Sequence, residues 1–153
     1  MGKSDKKNLQ NSPFPQDASQ WTREKRVLFI DRDGTLIKEA PPTYQIDSWE
    51  KLHFYPEVFQ YMSRIASEFD YELVMVTNQD GLGTEMFSED KFWPIHQHVI
   101  KSFENEGVSF HATYIDRSFP KDNSSNRKPG IGMLKSYLNN PGYDIPKIGR
   151  AHV

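Results

Sequence analysis

A chain of 153 residues with 36% hydrophobic and 13% aromatic content is long enough to enclose one apolar core, so a single globular domain is expected. The formal charge of -2 leaves no surplus positive field to displace counterions from a phosphate backbone, which argues against nucleic acid as a partner. The absence of cysteine excludes a disulfide framework and any thiolate metal site, and no stretch approaches the roughly 20 apolar residues of a membrane span. No membrane association and a cytoplasmic location are the resulting expectations. Met1-Gly2 opens like a myristoylation signal, but Lys6 stands where Ser or Thr is wanted, so lipidation is not expected.

Residues 1–25 are rich in Lys, Asn, Gln, Ser and Pro without an apolar period, and burial cannot offset their ordering entropy; a disordered tail is expected. Val27 to Ile30 is a short apolar run that stops at acidic residues and Gly34, as suits a strand buried on both faces of a parallel sheet. From Pro56 onward Val58, Phe59, Met62, Ile65, Ala66 and Phe69 recur at helical spacing, with Pro56 fitting a first helical turn. Glu72 to Thr77 predicts a second buried strand, ending in Asn78 and the turn glycines Gly81 and Gly83. Ser88 is a candidate cap for a helix that turns Phe92, Ile95, Val99 and Phe103 inward and closes near Gly107, with Pro94 either a kink or the real start. His111 to Ile115 predicts a third strand, residues 116–129 a polar loop, and Gly130 to Leu138 a helix. Buried strands alternating with helical crossovers define the expected fold: α/β, a Rossmann-like parallel sheet flanked by helices.

In such a sheet the ligand lies beyond the carboxyl ends of the strands, so the polar residues that follow each apolar run should converge there. The first strand is followed by Asp31-Arg32-Asp33-Gly34-Thr35. Residues two apart in extended backbone project to one side, so Asp31 and Asp33 face a common site while Arg32 points away. One carboxylate can attack phosphorus and form an acyl phosphate; the other can protonate the departing alkoxide and then activate water. Gly34 permits the tight turn that brings backbone N–H groups near phosphate oxygens.

This run, preceded by Val27 to Ile30, resembles the first motif of haloacid-dehalogenase-type phosphatases. The resemblance implies that Asp31 is the nucleophile, Asp33 the general acid and base, and that magnesium is held by the Asp31 carboxylate and the Asp33 backbone carbonyl, a suitable place for a hard ion. It further implies that Thr77 and Asn78 hold phosphoryl oxygens; a threonine at a strand end is more often a plain turn former, and the first motif is what favours the functional reading. Lys128, within Arg127-Lys128-Pro129, matches the family's third motif, whose lysine neutralises charge between nucleophile and phosphate. Phe29 to Lys38, Pro41-Pro42 and Val74 to Thr84 closely resemble the histidinol-phosphatase domain of histidine biosynthesis. In many bacteria that domain is fused to imidazoleglycerol-phosphate dehydratase, so a dehydratase half is the implied partner domain and histidinol phosphate the implied small-molecule substrate. Gln79 and Asp80 are candidate substrate contacts. Heptose-bisphosphate phosphatases share the first motif and supply the alternative; an inactive fragment with phosphate-binding remnants is a second.

Some relatives carry a Cys/His zinc loop before the lysine motif. Here that stretch is Asp116 to Asn126 without either residue, so no zinc is expected. The loop is expected to be ordered by its own turns at Asp122 and Asn123, or to be mobile. His96, His98 and His111 have neither ligand spacing nor partners, which suits solvated or core-edge roles. The family's fourth motif, a Gly-Asp pair and a further aspartate that complete the magnesium shell, has no counterpart, since Asp144 is the last carboxylate after Lys128. The expected organisation is thus a tail at 1–25, a haloacid-dehalogenase-like domain at 26–147 that stops before the fourth motif, and a non-native tail at 148–153. An open edge on the first strand, aggregation and weak magnesium binding follow from that expectation.

Overall fold

The computed structural model describes residues 25–143 and the backbone of residues 149–151; the expected tail up to residue 24, Asp144 and the rest of 144–148, and residues 152–153 lie outside the described residues. β1 (Val27–Ile30), β2 (Glu72–Asn78), β3 (Phe110–Asp116) and β4 (Gly149–Ala151) form one sheet in the order β3-β2-β1-β4. Every pairing is parallel, with Phe29 opposite Val74 and Thr77 opposite Ile115.

Strand parity assigns the two faces. Ile30, Leu73 and Met75 pack with Val58 and Met62 of α1 (Val58–Glu68) and with Ile95, Val99 and Phe103 of α2 (Glu89–Asn105). Val27, Phe29, Val74 and Val76 point the other way, against Met133, Tyr137 and Tyr143. Because alternate residues serve opposite layers, both must be apolar, and the expected continuous runs result. α1 and α2 cover one face while the chain steps from β1 through β2 to β3; it then returns over the other face to place β4 beyond β1. The order of strands therefore reverses at β1, which is where α/β sheets open a crevice for ligands.

Several expectations are corrected by the fold. β1 does not have an open edge: Leu28, Phe29 and Ile30 pair with Gly149, Arg150 and Ala151. Three residues carry no readable period, and backbone pairing asks little of the side chains, so the sequence pattern missed the strand. α1 starts two residues after Pro56, because Glu57 turns left-handed with φ 63°. Pro94 does not mark the start of α2, which begins after Ser88 and runs through the proline. The helix expected over Gly130 to Leu138 is reduced to a 3-10 turn at Gly132–Leu134 and a single turn, α3 (Lys135–Leu138). The reason is contact: the Gly130 N–H donates to the Arg127 carbonyl at 2.6 Å and the Gly132 N–H to the Ser125 carbonyl at 2.8 Å, and a Cβ on Gly132 would collide with the Asn126 side chain. Gly130 and Gly132 are both used to close the preceding loop.

Candidate active site

A cavity of about 580 Å³ opens at the carboxyl ends of β1 and β2, lined by Asp31, Asp33, Asn78, Gln79, Asp80 and Lys128 together with Glu39, Thr43, Tyr44, Gln45, Phe87 and Pro129. Its size is that of a small-molecule site. Both aspartates after β1 reach it, as their parity demands. The tight turn behind them is closed by Gly34, at φ 82°, whose N–H donates to the Ile37 carbonyl at 2.8 Å. That conformation is open to glycine and strained for other residues.

Lys128 meets Asp31 directly, with Nζ 2.6 Å from Oδ1, and also donates to the Val76 carbonyl at 3.1 Å. Its backbone is clamped by Asn78. The Asn78 side-chain amide donates to the Lys128 carbonyl at 3.2 Å, and its oxygen accepts from the Lys128 N–H at 3.1 Å. Asn78 thus spends its polar groups on the loop that presents the lysine. Thr77 is fully buried, and its hydroxyl oxygen accepts from Gln79 Nε2 at 2.8 Å. Gln79 is buried as well and donates to Asp33 Oδ2 at 2.9 Å. Asp80 lies at the rim, paired with Arg127, whose guanidinium also donates to the Ser118 carbonyl at 2.9 Å.

Arg32 points away from the cavity, as parity predicts, but not into solvent. It is 0% exposed and grips the neighbouring carboxylate, Nε donating to Asp33 Oδ1 at 2.7 Å and Nη2 to Oδ2 at 3.2 Å. Nη1 lies 3.1 Å from His96 Nδ1, and the guanidinium sits 4.9 Å from the centre of the Phe92 ring. A guanidinium only donates, so Nδ1 must carry the lone pair at this contact. Burial, reinforced by the Arg32 charge and opposed by Asp33, lowers the His96 pKa from 6.5 to about 4, which keeps the ring neutral. His96 is therefore a buried partner of the site, whereas His98 stacks edgewise on Trp49 and His111 lies 3.9 Å from Glu72.

The loop after β3 is ordered around Asp116, not only by the expected turns. Its carboxylate accepts from the Ser118 N–H at 3.0 Å, from the Ser118 hydroxyl, and from the Ser124 hydroxyl at 3.0 Å. Asp122 accepts from the Phe119 N–H at 2.8 Å, and Asn123 is left-handed at φ 51°.

The donors at β1 are hard oxygens suited to magnesium: a carboxylate on Asp31 and the Asp33 carbonyl, which accepts no hydrogen bond among the described residues. Among those residues no group of three or more His, Cys, Asp or Glu is arranged to hold a metal. The set fits the protein part of a magnesium shell, since this ion keeps several waters and needs only one or two carboxylates plus substrate oxygens.

Sequence reasoning missed Glu39, Thr43, Tyr44, Gln45 and Phe87 as lining residues. Pro41-Pro42 marked the segment as a turn, but only the packing of residues 36–46 onto the end of β1 brings it over the cavity, with Ile37 and Ile46 fully buried.

A parallel α/β sheet with two aspartates after β1 and a lysine opposite them forms a haloacid-dehalogenase-like fold. A D,D-heptose 1,7-bisphosphate phosphatase from B. bronchiseptica, solved with magnesium and phosphate, superposes with a TM-score of 0.65 over 74% of this chain and 62% of its own, at 24% identity. A Mesorhizobium loti protein described as a HAD-like phosphatase gives 0.64 over 79% and 59%, at 23% identity. The family model for polynucleotide kinase 3 phosphatases matches residues 26–146, and the chain belongs to that family. It is similar to the histidine biosynthesis bifunctional protein HisB of Bacteroides fragilis, 56% identical over 122 residues, which are 80% of this chain and 33% of that protein. HisB of Spirosoma linguale is 54% identical over 121 residues, 79% of this chain and 31% of that protein. The chain spans about a third of the length of these curated relatives. No described helix is long and apolar enough to cross a membrane.

Proposed function

We propose that this chain carries a magnesium-dependent phosphatase site that hydrolyses histidinol phosphate in histidine biosynthesis, as one domain of a longer protein with a fused dehydratase. The observation that carries the reading is the Lys128 Nζ contact of 2.6 Å with Asp31 Oδ1, on a cavity wall shared with Asp33. Lysine at this distance orients the Asp31 carboxylate and offsets phosphate charge during attack.

Asp31 attacks phosphorus and forms an acyl phosphate, while the ester P–O bond breaks and its electron pair stays on the leaving oxygen. That oxygen takes the proton from Asp33. Asp33 then removes a proton from water as the water attacks phosphorus, the acyl P–O bond breaks, and inorganic phosphate leaves with Asp31 restored. Magnesium, held by the Asp31 carboxylate and the Asp33 carbonyl, would supply Lewis-acid polarisation of the phosphoryl group. The backbone beside Asn78 is the proposed phosphate contact, whereas Thr77, fully buried and outside the cavity lining, supports Gln79. The Asn78 and Gln79 side chains support Lys128 and Asp33, and Asp80 remains a candidate substrate contact.

Substrate class follows from charge. Asp31, Asp33, Glu39 and Asp80 line the cavity, and Lys128 is the one basic residue among its described lining. A second phosphate, or a polynucleotide backbone, would meet repulsion there, whereas the ammonium and imidazole of histidinol phosphate would meet carboxylates and the Tyr44 ring.

The test is phosphate release from histidinol phosphate with and without magnesium, alongside mass detection of a beryllium-fluoride adduct on Asp31. Activity that needs magnesium and an adduct absent from Asp31→Asn are expected. Faster turnover of heptose bisphosphate would overturn the substrate, and an adduct elsewhere would overturn the nucleophile.

A further inference from the structure

We infer that Arg32 is a positioning residue for Asp33, backed by His96, and that Oδ1 is the oxygen through which Asp33 exchanges its proton; the inference rests on the phosphatase reading above. An ionised carboxylate offers about four lone-pair positions. Arg32 Nε takes one on Oδ1, while Arg32 Nη2 and Gln79 Nε2 take two on Oδ2. Among the described donors that leaves one position, and it is on Oδ1. The Asp33 side chain is 14% exposed at the cavity wall, enough for that position to meet a leaving oxygen.

The guanidinium cannot drift from this pose. It is fully buried with Phe92 against its face and the His96 lone pair on Nη1. Its planar fork fixes both the place and the rotation of the carboxylate, which a lysine point charge would not do. No described buried side-chain nitrogen or oxygen is left without a partner. Rotating Asp33 would therefore strand donors on both Arg32 and Gln79, at a cost that holds the acid in register.

A positioning role has a signature that plain destabilisation lacks. As the ester P–O bond breaks, an alkoxide must receive the Asp33 proton, whereas 4-nitrophenolate leaves without one. Arg32→Lys should lower kcat/KM on an alkyl phosphate, which reports the steps up to departure of the leaving oxygen, by about 10- to 100-fold, a part of what a general acid contributes. On 4-nitrophenyl phosphate the loss in kcat/KM, which excludes the later water step that Asp33 also serves, should stay below about twofold. The same ratio is read in His96→Leu, which removes the acceptor behind Arg32, and in His96→Gln, whose amide oxygen should restore it; this pair tests the role if Arg32→Lys does not fold. Equal losses on both esters in the folded variants would overturn the inference. So would a wild-type chain that hydrolyses only the nitrophenyl ester. A wild-type chain that hydrolyses neither would instead overturn the phosphatase reading on which it stands.

Discussion

At the carboxyl end of β1 a fully buried arginine backs the paired aspartates from the core, whereas the loop from Asp116 to Lys128 is held by a web of hydrogen bonds among its own polar groups and those of β2. Arg32, His96 and Gln79 are all buried; Arg32 meets His96, and Arg32 and Gln79 both donate to Asp33. The loop depends on Asp116 and its two serines, on the ion pair of Arg127 with Asp80, and on the Asn78 clamp around Lys128. The contrast defines a division of labour: an acid held on the strand by a buried arginine, and a lysine delivered by a loop whose geometry is set by hydrogen bonds.

That contrast can be broken at either end. The largest effect is expected from Asp31→Asn, which should reduce phosphate release by about 10⁴-fold or more, as loss of a nucleophile does; residual turnover above a tenth would mean that the strand end is not where the chemistry occurs. Lys128→Met comes next, with kcat/KM down about 10²- to 10³-fold and a melting temperature close to wild type, measured by calorimetry beside the kinetics. A large fall in melting temperature would make the lysine a part of the scaffold rather than a delivered charge.

His96 distinguishes the regions by pH. Its folded pKa of about 4 lies below the ordinary 6.5, so the unfolded chain binds the proton first. The stability from keeping His96 neutral is complete above about pH 6.5 and is lost as pH falls toward 4, by about 2 kcal/mol between pH 7.5 and 5. His96→Gln should remove that part of the slope in urea titrations at the two pH values. An unchanged slope would mean that the imidazole is accessible to protons and the strand end less closed than described. Asp116→Asn should act more mildly, costing about 1 kcal/mol and slowing turnover severalfold through Lys128, with the nitrophenyl and alkyl esters affected alike. A leaving-group-dependent loss there would show that the loop also sets Asp33.

The carboxylate pair and the lysine were legible in the sequence because their signals are local: an apolar run ending in Asp31-Arg32-Asp33-Gly34, and a basic residue between a strand and a helix. The parity that sends Asp31 and Asp33 one way also sends Arg32 the other, as the structure shows. What lay beyond parity was Arg32's destination. Nothing near Arg32 in sequence announces His96, 64 residues away, and a lone histidine on a helix reads as an unpartnered ring. Gln79 and Asn78 were read toward ligand because both follow β2, yet their side chains turn to Asp33 and Lys128. Which of several available partners an amide selects is a matter of packing.

By itself the sequence determined the alternating α/β order, the buried parallel strands and the identity of the paired aspartates, because hydrophobic period and strand parity operate over a few neighbouring residues. Tertiary structure alone decided that β4 pairs with β1, that residues 36–46 fold over the cavity, and that a buried arginine, a neutral histidine and a glutamine surround the acid. Those contacts join segments far apart in the chain, and burial, which turns a weak polar preference into a binding constraint, exists only once the sheet has formed.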